Sequence, residues 1–195
     1  MNRFILILLF SGAAAISALA QHNSEASTAE TLPKAWPSDF PIPPKTDNSL
    51  FFIQRNKNKN TIVYDANLRS DGKFDASKPI DVYWLRYGST GNMGDRAELS
   101  WLQRTFAFGY KAKKDSNTEN SYWVTLTAYD GRKIHLQQID GKPVATMTIK
   151  GKYCRLTNVW VYAEEAGTWP NVLHVDIHGV DMVTGKTYME RIKNK

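Results

Sequence analysis

The stretch "LFFIQRNKNKNTIVYDAN", residues 50–67, decides the fold class, because two apolar runs flank a short segment of Lys and Asn. The runs at 50–55 and 61–67 are rich in aromatic and β-branched residues, and each predicts a strand. Residues 56–60 predict a five-residue loop, since Asn tolerates the left-handed conformations that such a loop needs. A nucleic-acid site usually has a broader basic face with stacking aromatics, so we interpret the segment as a hairpin turn.

The same pattern continues along the chain and makes the protein mainly β. Further predicted strands span 80–87, 121–129, 132–139, 143–149, 152–163, 171–178 and 186–192. Turn signals separate them at Asp71-Gly72, Asp130-Gly131, Asp140-Gly141, Lys150-Gly151 and Thr184-Gly185. Asp130-Gly131 in particular predicts a type I′ hairpin turn, because both central residues of that turn need positive φ.

One segment, "DRAELSWLQRTFAFGYK" at residues 95–111, has helical rather than strand periodicity. Apolar residues recur at helical spacing, Asp95 and Glu98 resemble a capping box, and Gly109 suits the C-terminal end. We therefore expect an α+β fold that is mainly β: an antiparallel twisted sheet, sandwich or partly open barrel. One amphipathic helix, at about 96–108, packs on it.

The N-terminus has the pattern of a secretory signal peptide, residues 1–20. A charged start is followed by an apolar run from Phe4 to Ile16, and Ala18 and Ala20 provide the small residues of a cleavage site. The run is short for a membrane span, and no later segment has 18 consecutive apolar residues, so we expect no transmembrane segment after cleavage. This predicts export to the periplasm or the extracellular space.

Residues 21–48 predict a flexible leader that becomes proline-rich toward its end. Trp36, Phe40 and Ile42 are candidates to attach this leader to a single β-rich domain at 49–195. The formal charge of the whole chain is +6, which favours association with anionic partners.

Cys154 is the one cysteine in the chain, so an intramolecular disulfide is impossible. It alternates with apolar residues in a predicted strand. We therefore interpret it as a buried structural thiol rather than a nucleophile.

Three motifs together carry a family resemblance: "LFFIQRNKNKNTIVYDANL", "DVYWLRY" and "ELSWLQRTFAFGYK". They resemble a bacterial family of exported proteins known as domain of unknown function 4833, from about residue 50 to 192. The resemblance implies a single domain and supplies no activity and no catalytic residues.

"NVLHVDIH", residues 171–178, places His174, Asp176 and His178 on one face of a strand. The outer two lie about 13 Å apart along a strand, too far to share one ion. Two of them with another ligand, such as His135, remain candidates for a metal site. We interpret the row as the solvated polar face of an amphipathic strand, and we expect no metal and no cofactor.

Arginines that continue apolar strand faces are the strongest ligand-binding candidates. Arg55 and Arg86 follow such faces, and a guanidinium near aromatic rings can bind an anion or a sugar. The alternative is that carboxylates such as Asp65 and Asp81 pair with these arginines. The candidate ligand-binding residues are Arg55, Tyr64, Trp84, Arg86, Gln103 and Arg104.

The sequence contains no recognisable catalytic motif. We expect a non-catalytic module that binds a small or anionic envelope ligand, or that interacts with the envelope, and no nucleic acid. The alternative is a hydrolase or metal-dependent enzyme that uses His174, Asp176 or His178. The oligomeric state and the ligand stay open.

Overall fold

The computed structural model describes residues 39–87, 94–166 and 169–193. The predicted signal peptide and the leader up to residue 38, including Trp36, lie outside the described residues. Within them, eleven strands form one sheet, confirming the mainly β prediction. The strands are β1 (Ser49–Arg55), β2 (Asn58–Ala66), β3 (Ile80–Arg86), β4 (Asp95–Glu98), β5 (Tyr110–Lys114), β6 (Tyr122–Leu126), β7 (Tyr129–Ile139), β8 (Lys142–Ile149), β9 (Lys152–Ala166), β10 (Trp169–Asp181) and β11 (Thr187–Lys193).

Strand β9 is the branch point of the sheet, whose main order is β4-β3-β2-β1-β9-β8-β7-β6-β5. Its 15 residues are long enough to pair with β8 through residues 152–155 and with β1 through residues 158–161. The β1–β9 pairing is parallel, whereas β10 pairs antiparallel with the other edge of β9 and carries β11. The sheet curls into an open half-barrel with an apolar interior.

An irregularity in β9 keeps the interior apolar along its whole length. Leu156 and Val159 both belong to the core although they are three positions apart, and the pairing with β10 shifts register between His178 and Gly179. A bulge of this kind reverses which residues face inward. Gly179 fits there because a Cβ would lie 2.7 Å from the carbonyl oxygen of Arg155.

The helix begins later than predicted, because residues 95–98 form the edge strand β4 on β3. Ser100 caps helix α1 (Trp101–Gln103) in a capping box with Gln103, so the proposed box of Asp95 and Glu98 is wrong. The chain continues as a π-helical turn (Arg104–Phe108) and ends at Gly109 as predicted. No helix among the described residues is long and apolar enough to cross a membrane.

Two predicted turns differ from the observed ones. Residues 56–57 form a two-residue turn between β1 and β2, tighter than the expected five-residue loop. Asp130-Gly131 lies inside β7, and the turn that precedes it is at residues 127–128. Leu126 pairs with Tyr129, and this pairing places the turn at residues 127–128. Strand register, and not the turn propensity of Asp-Gly, therefore determines where the turn lies. The turn at Asp140-Gly141 is confirmed, with φ of 52° and 74°.

The end of the leader lies on the outer face of β1 and β9. Phe40 packs edge-on against Trp160 at 4.8 Å, and the amide of Gln54 donates to the carbonyl oxygen of Pro41 at 2.6 Å. Ile42 is 57% exposed, so it does not contribute to this attachment. The outer face is thus partly covered.

Candidate functional site

An apolar cavity of about 60 Å³ lies inside the curled sheet. Its floor is fully buried and includes Tyr64, Leu156 and Ile134. Its rim is half-buried and includes Tyr129 and Ile192, which belong to β7 and β11. The remaining described wall residues are Ile53, Ala107, Phe108, Leu126, Ala128, Arg132, Met147, Val159, Val161, Val172, Val175 and Ile177.

Arg132 and Glu190 form an ion pair at the rim that joins β7 to β11. The guanidinium donates to both carboxylate oxygens, through Nη1 to Oε2 at 2.9 Å and through Nη2 to Oε1. The backbone N–H of Lys150 donates to the same carboxylate at 2.8 Å. The hydrogen bond from Arg132, with the N–H of Lys150, lowers the pKa of Glu190 to about 2. Glu190 is therefore anionic at neutral pH, and it holds Arg132, which is part of the cavity wall.

A basic groove continues outward from this rim. It shares Arg132 and Met147 with the cavity wall and also includes Lys133, Lys150 and Glu190. Three cationic side chains face one carboxylate there. The apolar interior therefore opens beside a surface with a net positive charge.

The π-helical turn forms the inner side of the cavity. Its residues Ala107 and Phe108 are buried, and Phe108 packs edge-on against Trp84 at 5.4 Å. The hydroxyl of Tyr64 donates to the carbonyl oxygen of Phe108 at 2.9 Å. Burial raises the pKa of Tyr64, so its hydroxyl stays protonated.

The structure brings three of the predicted ligand-binding residues close to the same region. Tyr64 lines the cavity, whereas Arg55 and Trp84 line an adjoining crevice of about 20 Å³. Cavity and crevice share Ile53, Phe108 and Val161 as wall residues. Arg55 and Trp84 are therefore neighbours in the structure, and their role in ligand binding stays a prediction.

The other three predicted residues lie outside the cavity wall. The side chain of Arg86 is exposed at the end of β3. Gln103 accepts a hydrogen bond from the indole N–H of Trp84 at 3.2 Å, and Arg104 forms an ion pair with Glu98. Arg104 thus has the carboxylate partner that the alternative interpretation expected.

His174, Asp176 and His178 do share one face, but that face is not the solvated one we expected. Asp176 and His178 are buried, and the carboxylate of Asp176 accepts two hydrogen bonds of 2.7 Å from Arg191. His174 stacks on Tyr162 at 4.9 Å. Among the described residues, no group of three or more His, Cys, Asp and Glu side chains is placed to hold a metal ion.

His135, the proposed further ligand, lies elsewhere on the sheet. It is on β7, where it stacks on Trp123 and faces Asp115. Cys154 is fully buried, as predicted, and burial raises the pKa of its thiol. Neither residue contributes to the cavity.

Arg132 and Glu190 are not among the candidate residues predicted from the sequence. The signal was available, since Arg132 alternates with the inward residues Ile134 and Leu136 just as Arg55 does with Phe51 and Ile53. Because the sequence predicts a turn at Asp130-Gly131, Arg132 is interpreted there as the first residue of a strand and not as an inward-facing residue. Glu190 alternates in the same way with Tyr188 and Ile192.

Comparison with known proteins identifies the family of this chain. A family model described as Domain of unknown function (DUF4833) matches residues 51–191, which confirms the resemblance carried by the three sequence motifs. No curated protein and no solved structure matches this chain.

Proposed function

The chain belongs to the DUF4833 family, and we propose that it is a non-catalytic binding protein that holds the apolar part of a ligand inside its curled sheet. The observation that carries this proposal is the apolar cavity between the buried floor at Tyr64 and the half-buried rim at Tyr129. Concave, mostly apolar sites with a few polar groups are the usual form of small-molecule sites.

The volume of the cavity limits the ligand. A volume of 60 Å³ is well above the roughly 10–15 Å³ that one water needs, but below the ~150 Å³ of an engineered cavity that binds benzene. It accommodates a short alkyl segment. A longer chain extends across the rim, where it meets Arg132 and the basic groove.

The charge at the rim defines the other end of the ligand. Arg132, Lys133 and Lys150 face a single carboxylate, Glu190, in the groove beside the cavity. Opposite charges attract most strongly where solvent is partly excluded. We therefore infer an amphipathic ligand with an alkyl chain and an anionic head group, in agreement with the small or anionic envelope ligand expected from the sequence.

The chemistry of the wall favours binding over catalysis. Among the described residues that line the cavity, only Tyr64, Tyr129 and Arg132 have polar side-chain groups. Tyr64 donates to Phe108 and Arg132 to Glu190, so both are engaged in structural contacts. The hydrolase alternative loses support because Arg191 donates hydrogen bonds to both carboxylate oxygens of Asp176.

Titration with decanoate tests this function. We expect saturable one-to-one binding by calorimetry and a rise in Tm with decanoate concentration, since a ligand that binds only the folded state stabilises it. Decanol at equal concentration should bind more weakly, because it lacks the anionic head group.

Two tryptophan substitutions in the turn at residues 127–128 distinguish binding in the cavity from binding at the surface. Ala128→Trp places an indole at the rim and should weaken decanoate binding at least about tenfold. Thr127→Trp adds the same indole to the exposed neighbour and should leave the affinity within about twofold. Absence of saturable binding, or equal affinity of both variants, would show that the cavity is not the site.

We also propose that the protein is exported and that cleavage occurs after Ala20. The support is the order of charged start, apolar run and small residues at positions 1–20. The mass of the mature protein from its native host tests this. A mature N-terminus at residue 21 supports export, and a retained Phe4–Ile16 segment contradicts the cleavage.

A further inference from the structure

A second concavity lies on the outer face of the sheet, opposite the apolar interior. It is a groove of about 390 Å³ on strands β5, β6 and β7, which we term the Trp123 groove. Trp123 pairs across the strands with Lys113 on one side and His135 on the other, and Lys111 pairs with Thr125. The groove lies on the opposite face of the sheet from the apolar cavity, since Val124 and Ile134 on the same strands face the core. Lys133 lines both the Trp123 groove and the basic groove at the cavity rim.

Trp123 is held in place by a chain of contacts. Its ring stacks on that of His135 at 4.4 Å with 22° between the planes, and Nε2 of His135 lies 3.2 Å from Oδ2 of Asp115. The other oxygen of Asp115 accepts from the N–H of Asn117 at 3.0 Å. The indole is nevertheless 39% exposed. A fixed and exposed aromatic ring loses little conformational entropy when a ligand packs on it.

The charge around this ring is positive. Lys111, Lys113, Lys114 and Lys133 line the groove and are exposed. Asp115 is the one carboxylate among the described residues that line it, and it is buried and already faces His135. The N–H of Asn117 and the neighbouring His135 lower the pKa of Asp115, so it stays anionic and does not need a lysine partner.

Protection of a sheet edge explains some of these lysines but not all of them. Strand β5 is an edge of the sheet, and lysines on an edge strand prevent pairing with another chain. That explains Lys111 and Lys113. It does not explain Lys133 on the interior strand β7, nor the fixed indole between the charges.

We propose that the Trp123 groove binds an acidic saccharide, a chain of sugar rings that bear carboxylate or sulfate groups. The C–H face of a sugar ring packs on the exposed indole, and the lysines neutralise the acidic groups. Ser116, Asn117 and Thr125, also in the groove, have side chains that hydrogen-bond to sugar hydroxyls. All four cations are lysines, and arginine, the residue that best fits phosphate bidentately, is absent from the described lining.

A fluorescently labelled oligogalacturonate tests the proposal by fluorescence polarisation. We expect saturable binding to the wild type that weakens as ionic strength rises from about 50 mM to about 500 mM, because salt screens the lysines. A neutral maltooligosaccharide of the same length should bind at least about tenfold more weakly. Equal binding of the neutral chain would overturn the proposal.

Variants assign the binding to the groove. Trp123→Leu and, separately, the combined Lys111→Gln, Lys113→Gln and Lys133→Gln variant should each weaken binding at least about tenfold. The matched control replaces three exposed lysines elsewhere, Lys59, Lys142 and Lys186, by Gln and loses the same charge. Its affinity should fall less than about threefold.

Each remaining outcome has a defined meaning. If the control variant weakens binding as much as the groove variant, the interaction reflects net charge alone and the proposal is wrong. Tighter binding of a thymidine oligonucleotide than of the oligogalacturonate would assign the groove to nucleic acid and also overturn it. If Trp123→Leu does not fold, the lysine variant, whose substitutions are all on exposed positions, decides the question by itself.

Discussion

The hydroxyl of Tyr64 donates a 2.9 Å hydrogen bond to the carbonyl oxygen of Phe108, 44 positions further along the chain. This contact attaches the end of the π-helical turn to the buried face of β2. Tyr64 also stacks on Phe51 at 4.4 Å, so packing fixes the position of its ring independently of the hydrogen bond. A π-helical turn is uncommon, and this hydrogen bond ties its last residue to the sheet.

Tyr64→Phe should therefore destabilise the protein by about 1–3 kcal/mol, because a buried carbonyl loses its donor. Urea unfolding of the variant and the wild type measures the difference. Tyr162→Phe is the control: Tyr162 is 40% exposed, and its loss of a hydroxyl should cost less than about 0.5 kcal/mol. Equal effects of the two variants would mean that the Phe108 contact contributes nothing.

The Arg132–Glu190 pair predicts a pH dependence of stability. The pKa of Glu190 is about 2 in the folded state, below its ordinary value of 4.5. A carboxylate with a lowered folded pKa stabilises the protein above its unfolded pKa, and this stabilisation is lost as pH falls through the folded pKa. The window is therefore pH 4.5 to about 2.

Glu190→Gln should cost about 1–2 kcal/mol at pH 7, less than the pKa shift implies because solvent reaches the pair. The difference in the free energy of unfolding between the variant and the wild type should shrink below pH 4.5 and vanish near pH 2. Unfolding curves at several pH values measure it. Glu119→Gln, which breaks an exposed pair with Lys73, should change little at any pH, and a constant gap for Glu190→Gln would refute the prediction.

The strands could be predicted from the sequence because alternation is a local property. Nine of the eleven were placed to within a few residues, among them β1 and β8. Strand β4 could not be predicted, since three of its four residues are charged and Ala97 is its single apolar residue. It exists because β3 provides a free edge, which is tertiary information.

The cavity could not be predicted for a different reason. The alternation of apolar and polar residues indicates on which face of a strand each residue lies, but it does not indicate how strongly the sheet curves. Arg132 and Glu190 are 58 positions apart, and only the curvature of the sheet brings them together. The neighbourhood of Arg55 and Trp84 was predictable because β1, β2 and β3 are consecutive and pair in order.

Cys154 should react slowly with thiol reagents in the native protein. It is fully buried, and burial, followed by the charge of Asp181, raises the pKa of its thiol and lowers the thiolate fraction. Labelling with a disulfide reagent, with and without denaturant, measures this. As a control, Val183→Cys in a Cys154→Ala background should label rapidly, because Val183 is 89% exposed. Fast stoichiometric labelling of the native wild type would contradict a structural role.

His178 should make the protein less stable at mildly acidic pH. It is buried on the outer face beside Asp176, and burial lowers its pKa although the Asp176 charge opposes this. Its folded pKa therefore lies below the ordinary value of 6.5. In this case the unfolded state binds a proton more readily, so stability is complete above pH 6.5 and falls as pH decreases toward the folded pKa.

His178→Gln removes this proton-binding difference while it keeps a polar side chain at the site. The free energy of unfolding should therefore fall less steeply for the variant than for the wild type between about pH 7 and about pH 5. His174, whose pKa is also lowered by burial and by Arg191, is present in both proteins and cancels in the comparison. Identical slopes would mean that His178 titrates alike in the folded and unfolded chains, and burial of its ring would then carry no electrostatic cost.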